Sequence, residues 1–310
     1  MATIPSPTRQ PGRLLAGRLP SRKDRPDGPV TAFVLSGGGN QGVAQVGMLR
    51  ALLERGHQPD VVVGTSAGAL NGAVVAAGPG LDRIAHLEEV WTGLRGEDVF
   101  PGKALRMAWN VLRRGDHLFP NDGLRALIDH VHADTTFEDL TVPLRVVATD
   151  LGTGEEVVIA RGPVGPALLA SAALPGIFPP VAFHGQTLVD GAVVNLVPIS
   201  HALAGPVERV FVLDVSDPIG ERPIRSPLDV AVRAFAISRD QRFELELQWV
   251  PKEIEVVVLP PPVDERDFFD FSDGARLIAD AYDLTMGALD ELREHPGHQR
   301  RRRWWRRSSS

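Results

Sequence analysis

Asp60-Val61-Val62-Val63-Gly64-Thr65-Ser66-Ala67-Gly68-Ala69-Leu70 is the stretch that decides the fold. Three β-branched residues end at a glycine and give way to small helix-forming residues that continue through Ala73 to Ala77. That is the pattern of a buried strand turning into a helix. At the turn, Gly64-Thr65-Ser66-Ala67-Gly68 reads G-x-S-x-G. Flanking glycines let the backbone turn sharply without a Cβ clash and leave the serine Oγ projecting. The N-terminus of the following helix favours negative charge at the same spot. Taken alone, the pentapeptide also fits a plain small-residue turn, and the rest of the chain has to decide between the two.

Working outward, Val30 to Leu35 is a short apolar run typical of a buried strand, and it ends in Ser36-Gly37-Gly38-Gly39-Asn40-Gln41-Gly42. A helix is expected from about Val43 to Arg55, with Val46, Leu49, Leu52 and Leu53 on one face and Gly56 closing it. Strand, glycine loop, helix, strand, sharp turn and helix form the opening of an α/β domain with parallel strands. Further helices are expected over Leu81–Leu94, Lys103–Arg113, Asp122–Val131, Pro166–Ala173, Leu228–Trp249 and Ser272–Arg293. Strands are expected over Leu144–Thr149, Glu156–Ala160, Thr187–Val189, Val210–Val215 and Ile254–Leu259. The expected fold is therefore α/β, a mainly parallel central sheet flanked by helices on both faces. It forms one domain over 30–295, with 80–140 as a helical cap region. Residues 1–29 read as a disordered, proline-rich lead-in, and 296–310 as a basic, tryptophan-containing tail.

The composition, 43% hydrophobic and 23% charged, is that of a soluble globular protein. There is no cysteine, so disulfides and thiolate metal sites are excluded. The first residues lack the apolar core of about 7–15 residues that a secretory signal needs. No apolar run reaches the roughly 18 residues of a transmembrane helix, so a cytoplasmic location with peripheral membrane contact is expected. The net charge is −6, although six arginines crowd into Arg300 to Arg307. The folded body is thus the more acidic part, which argues against a specific nucleic-acid partner. Nothing in the sequence sets an oligomeric state.

A serine nucleophile needs donors for an oxyanion, a base for its proton and a means of holding that base. Gly37-Gly38-Gly39 can offer successive backbone N–H groups at a strand end. One helix and one strand separate it from Ser66, so both loops should emerge at one sheet edge, with neighbouring strands about 5 Å apart. Gly37, Gly39 and Gly42 also match the dinucleotide fingerprint G-x-G-x-x-G. That reading needs an acid at the end of the second strand, and Asp60 lies at its start. No cofactor or metal is expected. Among the later histidines, His184, His201, His295 and His298, none sits in a small-residue turn at a strand end. Asp190 does: it ends the run Thr187 to Val189 and precedes Gly191-Ala192. A carboxylate serves as base directly when burial lifts its pKa towards neutrality, and an Asp-Gly pair is also an ordinary turn.

Gly37-Gly38-Gly39 with Gly42, Gly64-Thr65-Ser66-Ala67-Gly68 and Asp190-Gly191-Ala192 together resemble the patatin-like phospholipases in order and spacing. The segments Ala170 to Pro180 and Val194 to Pro198 resemble the blocks that flank the catalytic aspartate of that family. The resemblance implies Ser66 as nucleophile, Asp190 as base and the amides of the glycine loop as oxyanion hole. Gly42, Gly64, Gly68 and Gly191 would be supporting motif positions. It implies hydrolysis of acyl esters of phospholipids or related lipids through an acyl-serine intermediate, without metal. The family usually carries Arg or Lys where this chain has Gln41. A non-catalytic lipid- or protein-binding member, and an acyltransferase or thioesterase with the same dyad, stand as alternatives. The helix expected over Lys103–Arg113 fits either a lipid-facing lid or a core-covering element. The Arg/Trp tail fits either a contact with anionic lipid or a solvated terminus.

Overall fold

The structure, a computed structural model, describes residues 29–100, 117–132, 134–216, 227–264, 266–294 and 301–302. The expected lead-in up to residue 28, the helix expected over Lys103–Arg113 and the tail except Arg301 and Arg302 lie outside them. In chain order the elements begin with β1 (Thr31–Leu35), α1 (Ala44–Glu54), β2 (Val61–Thr65) and α2 (Ala67–Ala77). Helices α3 (Leu81–Gly93), α4 (Gly96–Val99) and α5 (Asp122–His132) follow. Next come β3 (Leu144–Asp150), β4 (Glu156–Ile159), α6 (Val164–Ser171), β5 (Val181–Phe183) and β6 (Gln186–Asp190). The last described elements are α7 (Ile199–Ala202), β7 (Arg209–Leu213), α8 (Pro227–Trp249), β8 (Glu255–Val258), α9 (Gly274–Glu294) and β9 (Arg301–Arg302). The elements β5, β9, α4 and α7, each of two to four residues, escape a reading by periodicity.

Among the described residues, one nine-stranded sheet runs β5-β6-β3-β2-β1-β7-β8-β9, with β4 also paired to β3. The strands from β3 across to β9 are parallel, while β4 and β6 run antiparallel to β3 and β5 antiparallel to β6. Successive side chains of a strand point to opposite faces, and the core divides accordingly. Phe33, Leu35, Val62, Phe211 and Leu213 join one apolar cluster with residues of α1, α2 and α9. Ala32, Val34, Val61, Val63, Val210 and Val212 join a second, with Ile199 of α7 and Phe243 of α8. Helices therefore cover both faces, and the central strands are mostly apolar, as strands buried on two sides tend to be.

The pairing of β3 fixes where the chemistry can lie. Val146 and Val147 pair with Gly64 and Thr65 of β2 and also with Ile159 and Val158 of β4. Ala148 and Thr149 pair with Val157 and Glu156 of β4 and also with Asp190 and Val189 of β6. A strand has two edges, so β4 fills one, and β2 and β6 share the other. The parallel strand β2 stops opposite Val147, and the antiparallel strand β6 stops opposite Ala148. Their C-terminal ends meet.

Candidate active site

Ser66 is the residue after β2, and its backbone sits at φ 54, ψ −126. A serine in this half of φ/ψ space is strained by about 1–3 kcal/mol and persists only where its surroundings hold it. Those surroundings are specific. A Cβ on Gly68 would lie 2.4 Å from the carbonyl oxygens of Leu35 and Ser36, so α2 starts directly against the end of β1. The Ser66 N–H donates to Ser171 Oγ at 2.9 Å, and the Ser171 hydroxyl donates to the Val147 carbonyl at 2.6 Å. Thr65 Oγ1 donates to the Asn195 carbonyl at 3.0 Å. The turn is thus tied to β3 and to the segment following Asp190.

Asp190 ends β6 with its own N–H donating to the Ala173 carbonyl at 2.9 Å. Thr149 Oγ1 donates to its carbonyl at 2.9 Å. Its side chain is buried, 2% exposed, and both oxygens are engaged. Oδ1 accepts from the Ala192 N–H at 2.8 Å, and Oδ2 accepts from Ser66 Oγ at 2.6 Å. Burial pushes the carboxyl up to about 6, against the opposing pull of the bonds from Ser66 and Ala192. A carboxylate so placed is a proton acceptor matched to near-neutral pH and already bonded to the hydroxyl it would deprotonate.

The glycine loop lies against this pair. A Cβ on Gly37 would come within 3.2 Å of Ser66 Cβ, and one on Gly42 within 2.8 Å of Ala67 Cβ. Gly39, at φ 57, opens the short 3-10 turn Gly39–Val43 that runs on into α1. One part of the expectation needs correction. The Gly37 N–H donates to the Leu196 carbonyl at 3.1 Å, so it anchors the loop and is not free for an oxyanion. The amides of Gly38 and Gly39 donate to none of the described residues. They stand at the N-terminal end of the turn and helix, where the backbone dipoles favour an anion.

Two buried side chains that sequence reasoning passed over hold this loop. Gln45 Nε2 donates to the carbonyls of Ser36 and Leu213, at 2.9 and 3.1 Å. Asn71 Nδ2 donates to the Gly42 carbonyl and to Gln45 Oε1, both at 2.8 Å, while Trp91 Nε1 donates to Asn71 Oδ1 at 2.8 Å. The available signal was an amide side chain on the apolar stretch of each of the two helices that follow the loops. Gln41 contributes its backbone N–H to the Gly38 carbonyl at 3.1 Å.

The competing readings separate in space. Asp60 Oδ2 accepts from the Thr31 N–H at 2.8 Å, at the opposite ends of β1 and β2 from the glycine loop, and so cannot serve a nucleotide there. His201 is buried on α7, with Nε2 bonded to Glu156 Oε1 at 2.7 Å. The Arg145 guanidinium donates to the His201 carbonyl. His184 occupies the turn between β5 and β6, and His295 and His298 lie outside the described residues. Among the described residues, the recorded partner of the Ser66 hydroxyl is Asp190.

Known proteins resemble this chain as follows. The family model described as patatin-like phospholipase matches residues 33–203. An uncharacterized NTE family protein of Mycobacterium tuberculosis is 35% identical over 175 residues, 56% of this chain and 45% of that protein. Patatin-like phospholipase domain-containing protein 7 of Rattus norvegicus is 31% identical over 190 residues, 61% of this chain and 14% of that protein. The chain thus spans less than half the length of these curated relatives. Among solved structures, VipD from Legionella pneumophila aligns over 85% of this chain and 67% of its own, with 16% identity and a TM-score of 0.47.

Proposed function

Because this chain belongs to the patatin-like phospholipase family, we propose that it is a serine lipid acyl hydrolase working through a Ser66–Asp190 dyad. The observation that carries the reading is the 2.6 Å bond from Ser66 Oγ to a buried carboxylate oxygen of Asp190. As Ser66 Oγ attacks the acyl carbonyl carbon, its proton passes along that bond to Asp190 Oδ2. The carbonyl oxygen becomes an oxyanion facing the amides of Gly38 and Gly39, a type of contact that contributes about 2.7–4 kcal/mol per donor elsewhere. Collapse breaks the ester C–O bond, and Asp190 returns the proton to the departing alkoxide. Water then attacks the acyl-Ser66 ester with Asp190 again as base, releasing the fatty acid and restoring the hydroxyl.

The substrate class rests on family membership, and lipid as substrate carries contact with a membrane surface with it. Among the described residues no helix is long and apolar enough to cross a membrane, which fits peripheral contact. Incubating the chain with mixed phospholipid and neutral-ester vesicles tests the reading. Free fatty acid should appear with wild type and be absent with Ser66→Ala. Release of acyl groups only when an alcohol or lysolipid acceptor is supplied would instead favour the acyltransferase reading.

A further inference from the structure

We propose that the strap Arg266–Ser272, which lies outside the family match, is a wall of this site, with Asn40 as its positioning residue and Phe268 as the residue that selects the acyl group. The proposal rests on the hydrolase reading and concerns how that site is shaped. Asn40 follows Gly39 directly, and its side chain is almost wholly buried. Both hydrogens of its amide are used: Nδ2 donates to the Asp267 carbonyl at 2.8 Å and to the Asp270 carbonyl at 2.6 Å. The strap is braced to receive them. The Asp270 N–H donates to the Asp267 carbonyl at 2.9 Å, and the Ser272 N–H to Asp270 Oδ1 at 2.8 Å. Arg266 forks onto both oxygens of Asp264, with Nε at 3.0 and 3.1 Å, and also donates to the Ser272 carbonyl. Its Nη2 reaches back to the Asn40 carbonyl at 3.5 Å.

The same strap presents an aromatic edge to the oxyanion loop. A Cβ on Gly39 would lie 2.5 Å from Phe268 Cε2, so the ring rests on the backbone of that glycine. Phe268 is nonetheless 36% exposed, which leaves part of the ring open to an incoming group. Behind it stand Phe269 and Phe100, with ring centroids 5.3 and 6.1 Å away. An ester whose carbonyl oxygen sits at the Gly39 amide must pass its substituents along this edge. The oxyanion loop thus takes its position and its apolar border from a segment at the far end of the domain. The fixed acceptors are backbone carbonyls, which explains why an amide donor, and not merely a residue of similar size, occupies position 40.

The test uses the full chain on a series of p-nitrophenyl esters from butyrate to palmitate. Asn40→Ala should lower kcat about 10-fold and Asn40→Asp about 100-fold, with KM within about two-fold, as small misplacements of catalytic groups do. Asp fills the same volume but turns acceptors towards two carbonyls, whereas a packing role alone would make Asp the milder change. Phe268→Ala should alter the ratio of kcat/KM for palmitate over butyrate by at least about five-fold. The reverse order at Asn40, or an unchanged chain-length ratio in Phe268→Ala, overturns the proposal. Should the Asn40 variants fail to fold, the Phe268→Ala ratio decides alone. A wild-type chain that hydrolyses none of the esters overturns the hydrolase reading and this proposal with it.

Discussion

Ser66 and Asp190 stand in hydrogen-bond contact because β2 and β6 run towards each other along one edge of β3 and stop opposite Val147 and Ala148. Two residues separated by most of the matched region therefore become neighbours through sheet registry, before any side-chain preference acts. The parallel strand delivers the Ser66 hydroxyl on a tight turn, and the antiparallel strand delivers the Asp190 carboxyl into the gap it faces. A slip of one residue in either strand would turn the corresponding side chain to the other face of the sheet. The short turn Gly191–Val193 fits in the gap because Gly191 lacks a Cβ, which would lie 2.3 Å from the Val147 carbonyl.

The pH dependence of turnover follows from Asp190. As the proposed base, Asp190 works only as a carboxylate, and burial places its pKa at about 6. We expect kcat/KM to fall as pH drops below about 6 and to level off above it, measured on a soluble ester from pH 4.5 to 8.5. His201→Gln should leave that midpoint in place, since the His201 ring pairs with Glu156 and not with Ser66. A midpoint that moves in this variant would place a histidine in the proton path.

The same carboxyl makes the stability of the fold depend on pH. Asp190 has a folded pKa of about 6, raised from 3.8, so between these values the native state holds a proton that the unfolded chain has released. Stability therefore declines as pH rises through this window, and above it the buried charge is a standing penalty of about 3 kcal/mol. Asp190→Asn should abolish turnover and yet resist urea better than wild type at pH 8. The difference should shrink towards zero near pH 4. A difference that stays constant across this range would contradict the assignment.

Ser171 is the hidden support of the turn. Ser171→Ala leaves the Ser66 N–H without its acceptor and the Val147 carbonyl without its donor. A loss of about 1–3 kcal/mol in urea unfolding is expected. Because the strained backbone of Ser66 then loses an anchor, kcat should drop about 10-fold with KM little changed. Ser171→Thr keeps the hydroxyl and should recover much of kcat.

Much of this architecture is written locally in the chain. The run Val61 to Val63 followed by Gly64-Thr65-Ser66-Ala67-Gly68 announces strand, turn and helix, because apolar period and small residues at a sharp turn are local constraints. Asp190 is legible for the same reason, as an acid at a strand end before a glycine. The antiparallel course of β6 is not legible: whether a strand returns parallel or antiparallel depends on the pairing of β3, which no window of sequence contains. The use of the Gly37 amide is hidden for a similar cause, since its acceptor, Leu196, belongs to a distant segment. Gln45, Asn71 and Asn40 look like ordinary polar positions on helix or loop. Their roles emerge only when carbonyls from far along the chain are brought to them.

A fluorophosphonate reports directly whether Ser66 is an activated nucleophile. Wild type, Ser66→Ala and Asp190→Asn would each be incubated with the reagent at pH 8 and weighed intact. One adduct is expected on wild type and none on Ser66→Ala, with labelling of Asp190→Asn slowed by about 100-fold or more, in line with loss of a general base. A folded wild type that takes up no adduct even with detergent or anionic vesicles present would show that Ser66 is not an activated nucleophile. An adduct that persists in Ser66→Ala would do the same.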